Sequence, residues 1–405
     1  MSEVNNIPKH WQLKTLGEVA DYLNGRAFKP TEWEPTGSPI IRIQNLNKAD
    51  AIYNYTNREF EDKYKIDKGD LLYAWSASLG VYIWNGNTAW LNQHIFKVVP
   101  KDICHKKFLF YALEKVTAEL YSKAHGSGMV HVTKGIFEET EILLPPLSEQ
   151  QAIVSKIEEL LSDLDNGKQQ LQIAQQQLKI YRQSLLKWAF EGKLTNQNVN
   201  DGELPKGWKW VKLEDVCKKI GDIDHKMPKQ LSSGYPYVST KDFTDTLKIS
   251  FDNAKYISEE DYLNLARKIR PERGDIIFPR YGTIGKNILV DFDKEFLVSY
   301  SCAVVKPNQK LVISKYVYLY TLSPKITEEI RKYTVETTQA NVGIASIKSF
   351  VFPFPPLAEQ QLIVDELESK LTVCDKIEET ISQSLLQAES LRQSILKKAF
   401  EGKLI

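Results

Sequence analysis

Two kinds of hydrophobic pattern alternate along the 405-residue chain. In the first, short apolar runs such as GDLLYAW, GVYIW and GDIIFPR are broken by Gly, Pro, Asn and Asp, which predicts many short strands. Stretches such as CHKKFLFYALEKVTAELYSKA predict helices among them. The second pattern starts at Ile153. Residues 153, 157, 160, 164, 171, 174, 178, 181, 185 and 188 hold Ile, Ile, Leu, Leu, Leu, Ala, Leu, Tyr, Leu and Trp, a three–four ladder that predicts a long amphipathic helix. Gly167 takes the missing rung. The ladder returns later on Ile363, Leu367, Cys374, Ile377, Ile381, Ala388, Leu391 and Ile395.

The second ladder is a copy of the first. Aligned without a gap, residues 145–194 and 355–404 are identical at 23 of 50 positions, opening on PPLSEQQ and PPLAEQQ and closing on AFEGKL. An ungapped match of this length within one chain indicates duplication. Upstream the copies diverge: PKHW answers PKGW, SPIIRIQNL answers YPYVSTKDF, and KGDLLYAWSASLG answers RGDIIFPRYGTIG. The offset grows from 197 to 210 residues, so the second copy carries 13 more. The expected domains are a mixed α/β domain at 1–144, a long helix at 145–195, a linker at 196–204, a second mixed domain at 205–354 and a second long helix at 355–405.

Ser148, with Gln151 three residues on, has the form of a capping box, which Ala358 weakens in the second copy. Gly192 and Gly402 stand where a helix would close on a left-handed residue. Each helix would run about 60 Å for about 40 residues. A partly apolar stripe of that length needs a partner, and the short linker TNQNVNDGE makes an antiparallel pair the economical one. The expected fold class is α+β: two mixed α/β domains joined by two long helices in an antiparallel coiled coil, with an internal pseudo-two-fold repeat. The picture is a dumbbell with a helical rod.

Composition narrows the function. The formal net charge is +1, yet residues 205–354 hold 24 Lys and Arg against 18 Asp and Glu, whereas residues 355–405 hold 6 against 9. The positive excess in one segment suits a polyanionic partner. Cys104, Cys217, Cys302 and Cys374 are scattered without a CxxC, as expected of incidental thiols in a reducing cytoplasm. The opening MSEVNNIPKHWQLK has no apolar leader pattern and no spanning helix is expected. No Asn/Asp-Pro-Pro-Tyr/Phe tetrad or cofactor loop is present; both Pro-Pro pairs precede Leu, as helix-entry punctuation. GTIGK lacks the first glycine and the Ser/Thr of a phosphate loop, so a turn between strands is expected there. His125 and His131 are six apart in a Gly-rich stretch, a poor metal pair, and no metal site is expected.

Similar helices with dissimilar domains suggest one spacing and two readouts, as split DNA recognition needs. Several loops mix donor, acceptor and aromatic side chains suited to base edges and phosphates. In the first domain the candidates are Arg42, Gln44, Asn45, Asn47, Trp75, Ser76, Ser78, His125, Ser127 and Lys134. In the second they are Thr240, Lys241, Arg280, Tyr281, Thr283, Lys286, Gln339 and Asn341. The order LPKGW, RGDIIF…GTIG and FPPLAEQQ…RQSILKKAFEGKL, preceded by a diverged copy of itself, resembles the specificity subunit of type I restriction-modification systems from Pro8 to Leu404. The resemblance implies two target recognition domains that each read half of a split sequence in double-stranded DNA. It also implies repeated helices that set the spacing and dock two methyltransferase subunits, and through them restriction/translocase subunits. S-adenosylmethionine, ATP and Mg2+ would belong to those partners, and the chain itself would be non-catalytic. The docking candidates are matched pairs in the two copies: Glu149 and Glu359, Gln150 and Gln360, Arg182 and Arg392, Gln183 and Gln393, Lys187 and Lys397. The competing readings are a coiled-coil scaffold whose heads bind protein, and a DNA enzyme acting alone.

Overall fold

The computed structural model describes residues 8–48, 50–76, 78–123, 133–196, 198–200, 202–225, 227–333 and 341–405. The chain forms two compact units, one running to Gln172 and taking in Ser382–Ile405, the other spanning Ile173–Ile381.

In the first unit, an antiparallel four-stranded sheet runs in the order Ala20–Asn24, Ile95–Pro100, Leu71–Ala74, Gly80–Ile83. A second sheet runs Asn54–Thr56, Ser38–Ile41, Ala89–Leu91, Lys65–Ile66, with its central pair parallel. Leu71–Ala74 is buried at every position, so its side chains are covered on both faces, which explains a continuous apolar run rather than an alternating one. The helix Lys106–Lys123 contributes Phe108, Leu109 and Leu113 to the main core. Ile153 and Ile157 from one long helix, and Ile395 and Ala399 from the other, share that core.

The second unit repeats the plan with the sheet order Cys217–Gly221, Cys302–Pro307, Ile276–Pro279, Ile288–Leu289. A smaller sheet joins Lys255–Ile257, Tyr235–Val238 and Leu297–Val298, the last pair parallel. Besides the fourth strand that the smaller sheet lacks, two helical differences mark the divergence. An added helix, Glu259–Ala266, is capped by the Ser258 hydroxyl, which accepts the Asp261 N–H at 3.1 Å. Where the first unit has one helix, the second breaks it into Ser314–Thr321 and Pro324–Tyr333, because Pro324 lacks the N–H that an interior turn needs.

Each unit closes with the same device. A two-stranded ribbon, Gln12–Thr15 with Glu141–Leu144 or Lys209–Lys212 with Val351–Phe354, runs into a Pro-Pro pair. The long helices then start at Leu147 and Leu357 and run 44 residues each, to Phe190 and Phe400, about 66 Å. Ser148 is not the cap: it lies inside the first turn, and the carbonyl of Pro146 takes the N–H groups of Glu149 and Gln150, both at 2.9 Å. Pro356 does the same for Glu359 and Gln360, so Ala358 weakens nothing. The far ends close as expected, on Gly192 at φ +77° and Gly402 at φ +69°.

The two long helices pack antiparallel. In the first unit Lys168 meets Glu389 at 3.3 Å; in the second, Arg182 meets Asp375 at 2.7 Å and Glu378 at 3.0 Å. As numbers rise along one helix they fall along the other. The ladder read from hydrophobicity is half right. Residues 157, 164, 171, 178 and 185 turn inward, but the second rail is 161, 168, 175, 182 and 189, one residue later than expected. Tyr181 and Trp188 are exposed, as are Ile377 and Leu391 in the other copy. The displaced rail carries Arg182 and Arg392, whose charge is met by Asp375 and Glu378 and by Glu114 respectively, so an apolarity pattern passes over them.

A Cβ at Gly192 would fall 2.2 Å from Pro205 Cγ, and one at Gly402 2.4 Å from Pro8 Cδ, while Gly167 has open space around it. Gly192→Ala and Gly402→Ala are expected to destabilise by more than about 1 kcal/mol, and Gly167→Ala to stabilise by up to about 1 kcal/mol, in denaturant unfolding.

Candidate nucleic-acid interface

In the second unit, residues 280–287 form the connection of the hairpin between Ile276–Pro279 and Ile288–Leu289, the turn expected of GTIGK. Gly282 and Gly285 take φ of +69° and +98° and face open space. Tyr281 pairs with Asn341 in an isolated antiparallel bridge, and the Lys286 ammonium reaches the Asp245 carboxylate at 2.9 Å. The hairpin tip thus gathers Tyr281, Thr283, Lys286 and Asn341 beside the 240–248 segment. There the Ser239 hydroxyl accepts the Lys241 N–H at 3.4 Å, holding exposed Lys241 and half-buried Thr240 in a short turn. An exposed Lys–Asp pair is worth under about 1 kcal/mol, so a phosphate can take Lys286 over at little cost.

Arg280 is a correction. It is 6% exposed, and its guanidinium is spent internally on the Asp222 carboxylate at 2.5 Å and the Val342 carbonyl at 2.9 Å. With Nε and Nη1 both committed inside, it does not present the free two-nitrogen fork that a base edge takes. Sequence reading missed Asp222, since nothing in GDIDH marks which carboxylate turns inward. His225, stacked on Tyr300 at 4.7 Å between centroids, was missed too.

In the first unit the expected loop at Arg42–Asn47 is a short helix, Ile43–Asn47. Asn45 is a second correction: it is buried, accepting the Arg42 N–H at 3.0 Å and donating to the Ile52 carbonyl at 3.1 Å, a structural clamp. Gln44 and Asn47 are exposed, and Asn47 accepts the Tyr82 hydroxyl at 2.6 Å. Arg42 is half-buried over the Trp33 ring at 5.9 Å. Trp75 stacks on Phe96 at 5.8 Å, with half-buried Ser76 and Ser78 beyond it. Lys134 is exposed but donates to the Tyr22 carbonyl at 2.8 Å. His125, Ser127 and Gln339 lie outside the described residues. Burial pushes the thiols of Cys104, Cys217 and Cys302 up to about 12, so they stay protonated at neutral pH.

The docking candidates divide sharply. Gln150 and Gln360 are fully buried, which removes them from any exposed face. Gln150 accepts the His105 N–H at 2.7 Å and donates to the Ile103 and Pro145 carbonyls. Gln360 repeats this with Ile313 N–H and the Leu311 and Pro355 carbonyls. Glu149 and Glu359 accept the indole N–H of Trp11 at 2.9 Å and of Trp208 at 2.8 Å, so they too are taken up internally. His10 adds to Glu149 at 2.7 Å, while Asn196 adds to Glu359 at 2.7 Å. Arg182 and Arg392 are half-buried in ion pairs, leaving Gln183, Gln393, Lys187 and Lys397 on the surface. Beside them stand Tyr181, Trp188 and Leu391, a set the ladder had turned inward.

Two dissimilar mixed α/β heads on matched segments of two antiparallel helices define a diverged internal duplication. Residues 8–175 and 205–387 each match the type I restriction modification DNA specificity domain, and the chain belongs to that family. It is similar to the type I restriction enzyme EcoBI specificity subunit of Escherichia coli, 26% identical over 98% of this chain and 87% of that one. The MjaVIII specificity subunit of Methanocaldococcus jannaschii is 25% identical over 98% and 94%. The crystal structure of the HsdS subunit from Thermoanaerobacter tengcongensis has the same fold, with a TM-score of 0.60 at 21% identity over the whole of both chains. A chain from a structure describing assembly and conformational transition of the type I R-M system gives a TM-score of 0.72 at 21% identity, covering 98% and 99%. Among the described residues no helix is long and apolar enough to cross a membrane.

Replacing Gln150 or Gln360 with Leu strands one N–H and two carbonyls in the interior. Each change is expected to cost about 1–3 kcal/mol in denaturant unfolding, whereas Gln183→Ala stays within about 0.5 kcal/mol.

Proposed function

We propose that the chain reads a split target in double-stranded DNA, one half with each head, and holds two methyltransferase subunits on the outer faces of its long helices. The observation that carries this reading is the duplication itself: a DNA specificity domain occurs twice, with the helices matched and the sequences of the heads diverged. Matched helices present equivalent surfaces to two copies of one partner, while different heads select different half-sites. Adenine methylation and ATP-driven cleavage then fall to the partners, with S-adenosylmethionine, ATP and Mg2+ bound there and the assembly working in the cytoplasm. The chain's own task is to bind, place and space. Lys241 and Lys286 are phosphate contacts in this scheme, Gln44, Asn47 and Asn341 base-edge candidates, and the exposed matched pairs Gln183 with Gln393 and Lys187 with Lys397 part of the docking faces.

Adenine methylation mapped genome-wide, with the gene intact and then deleted, tests the reading. Loss of one split motif upon deletion is the expected result. An unchanged methylome, together with absence of salt-sensitive DNA binding by the purified assembly, would transfer the heads to protein partners. In that assembly Lys286→Ala and Lys241→Ala are each expected to weaken binding to all DNA sequences alike. Each should lower the slope of log K against log salt by about 1.

A further inference from the structure

We infer that Arg280 is a positioning residue for the second head, setting where the hairpin tip presents Tyr281 and Asn341 to DNA. The inference rests on the DNA-reading function proposed above. Arg280 sits where the strand Ile276–Pro279 ends and its backbone N–H is held by the Ser301 carbonyl at 2.8 Å. Its side chain then reaches the same segment through the Tyr300 carbonyl and two further ones, Asp222 beyond the strand Cys217–Gly221 and Val342 through its carbonyl. The Val342 N–H returns the bond to the Arg280 carbonyl at 3.1 Å. Arg280 and Val342 therefore flank the Tyr281–Asn341 bridge, and the guanidinium also lies 5.3 Å from the Tyr281 ring.

Two buried charges, 6% and 7% exposed, are costly to place inside a protein and need a full set of partners. Here the partners are present: Asp222 also takes Lys268 at 3.3 Å and His225 at 3.3 Å. A guanidinium is suited to this task, because its planar fork of donors serves several acceptors in fixed directions, which an ammonium cannot do. The node is particular to the second head. Strand registers pair Ala74 with Ile95 and Pro279 with Cys302, so Trp75 answers Arg280. Counted onward, Leu23 with Lys97 answers Gly221 with Val304, so Asn24 answers Asp222. The first head thus has an aromatic where the second has an ion pair, and changes at Arg280 should touch one half-site only.

The test uses the full chain assembled with its methyltransferase subunits, on the target that the methylome defines. Arg280→Lys keeps the charge opposite Asp222 but loses the fork; Arg280→Met removes both. Binding is measured on the cognate duplex and on duplexes with single base-pair changes in either half-site, at protein concentrations corrected for active fraction. Relaxation of discrimination by about tenfold in one half-site, with the other unchanged, is the expected result. If Arg280→Met does not fold, Arg280→Lys decides alone. Unaltered cognate-to-changed ratios, or equal relaxation in both half-sites, would reduce Arg280 to a stability element and overturn the inference. Failure of the unmodified assembly to discriminate any duplex would instead sink the functional reading beneath it.

Discussion

One buried amide organises each copy of this duplication. Gln150 and Gln360, on the first turns of the long helices, each satisfy one N–H and two carbonyls that would otherwise be stranded inside. Because an unpaired buried polar group costs about 1–3 kcal/mol, the amide and its three partners must arrive together. The Trp11–Glu149 and Trp208–Glu359 bonds secure the same turn from the other side. The Pro-Pro pair, unable to extend the ribbon, hands the chain to the helix at that point. In each unit the head is therefore fixed to the start of its helix by directional bonds as well as by packing.

The seam of the long helices follows a different logic. Its outer rungs are apolar and belong to the cores of the heads, while charged residues on the inner ones find specific acids: Lys168 with Glu389, Arg182 with Asp375 and Glu378. Polar rungs of this kind cost stability and specify register, since a slip would bring charges against apolar surface. Arg392 shows the same residue used otherwise, turned to Glu114 on the head helix; burial raises the Glu114 carboxyl from its ordinary value and Arg392 opposes that. The identical Arg-Gln-Ser triplet thus serves helix–helix register in one unit and helix–head contact in the other.

The heads show how divergence is accommodated without altering the frame. The added helix Glu259–Ala266 and the break at Pro324 both lie in the connections and flanking helices, leaving the four-stranded order intact. Where the strands Leu71–Ala74 and Ile276–Pro279 end, the two heads exchange chemistry, Trp75 in one and an Asp222–Arg280 pair in the other, while the backbone bond from that residue persists.

What the sequence by itself determined is the plan: the duplication, the helix lengths, the glycine-closed ends, the antiparallel pairing and the family. These follow from signals local to the chain, such as repeated motifs, apolar periodicity and residues that only certain backbone angles tolerate. Only the tertiary structure decided which polar residues are spent inside. Asn45, Gln150, Gln360 and Arg280 have the same chemistry as exposed readers of DNA or partners, and nothing near them in sequence distinguishes the two fates. Apart from one carbonyl five residues back, the partners of each glutamine lie 45 to 49 residues away, and Arg280 reaches Asp222 and Val342 at 58 and 62. The off-by-one rail has the same origin: an arginine turns inward when a distant carboxylate meets it, and that meeting is set by packing rather than by the pattern of apolar positions.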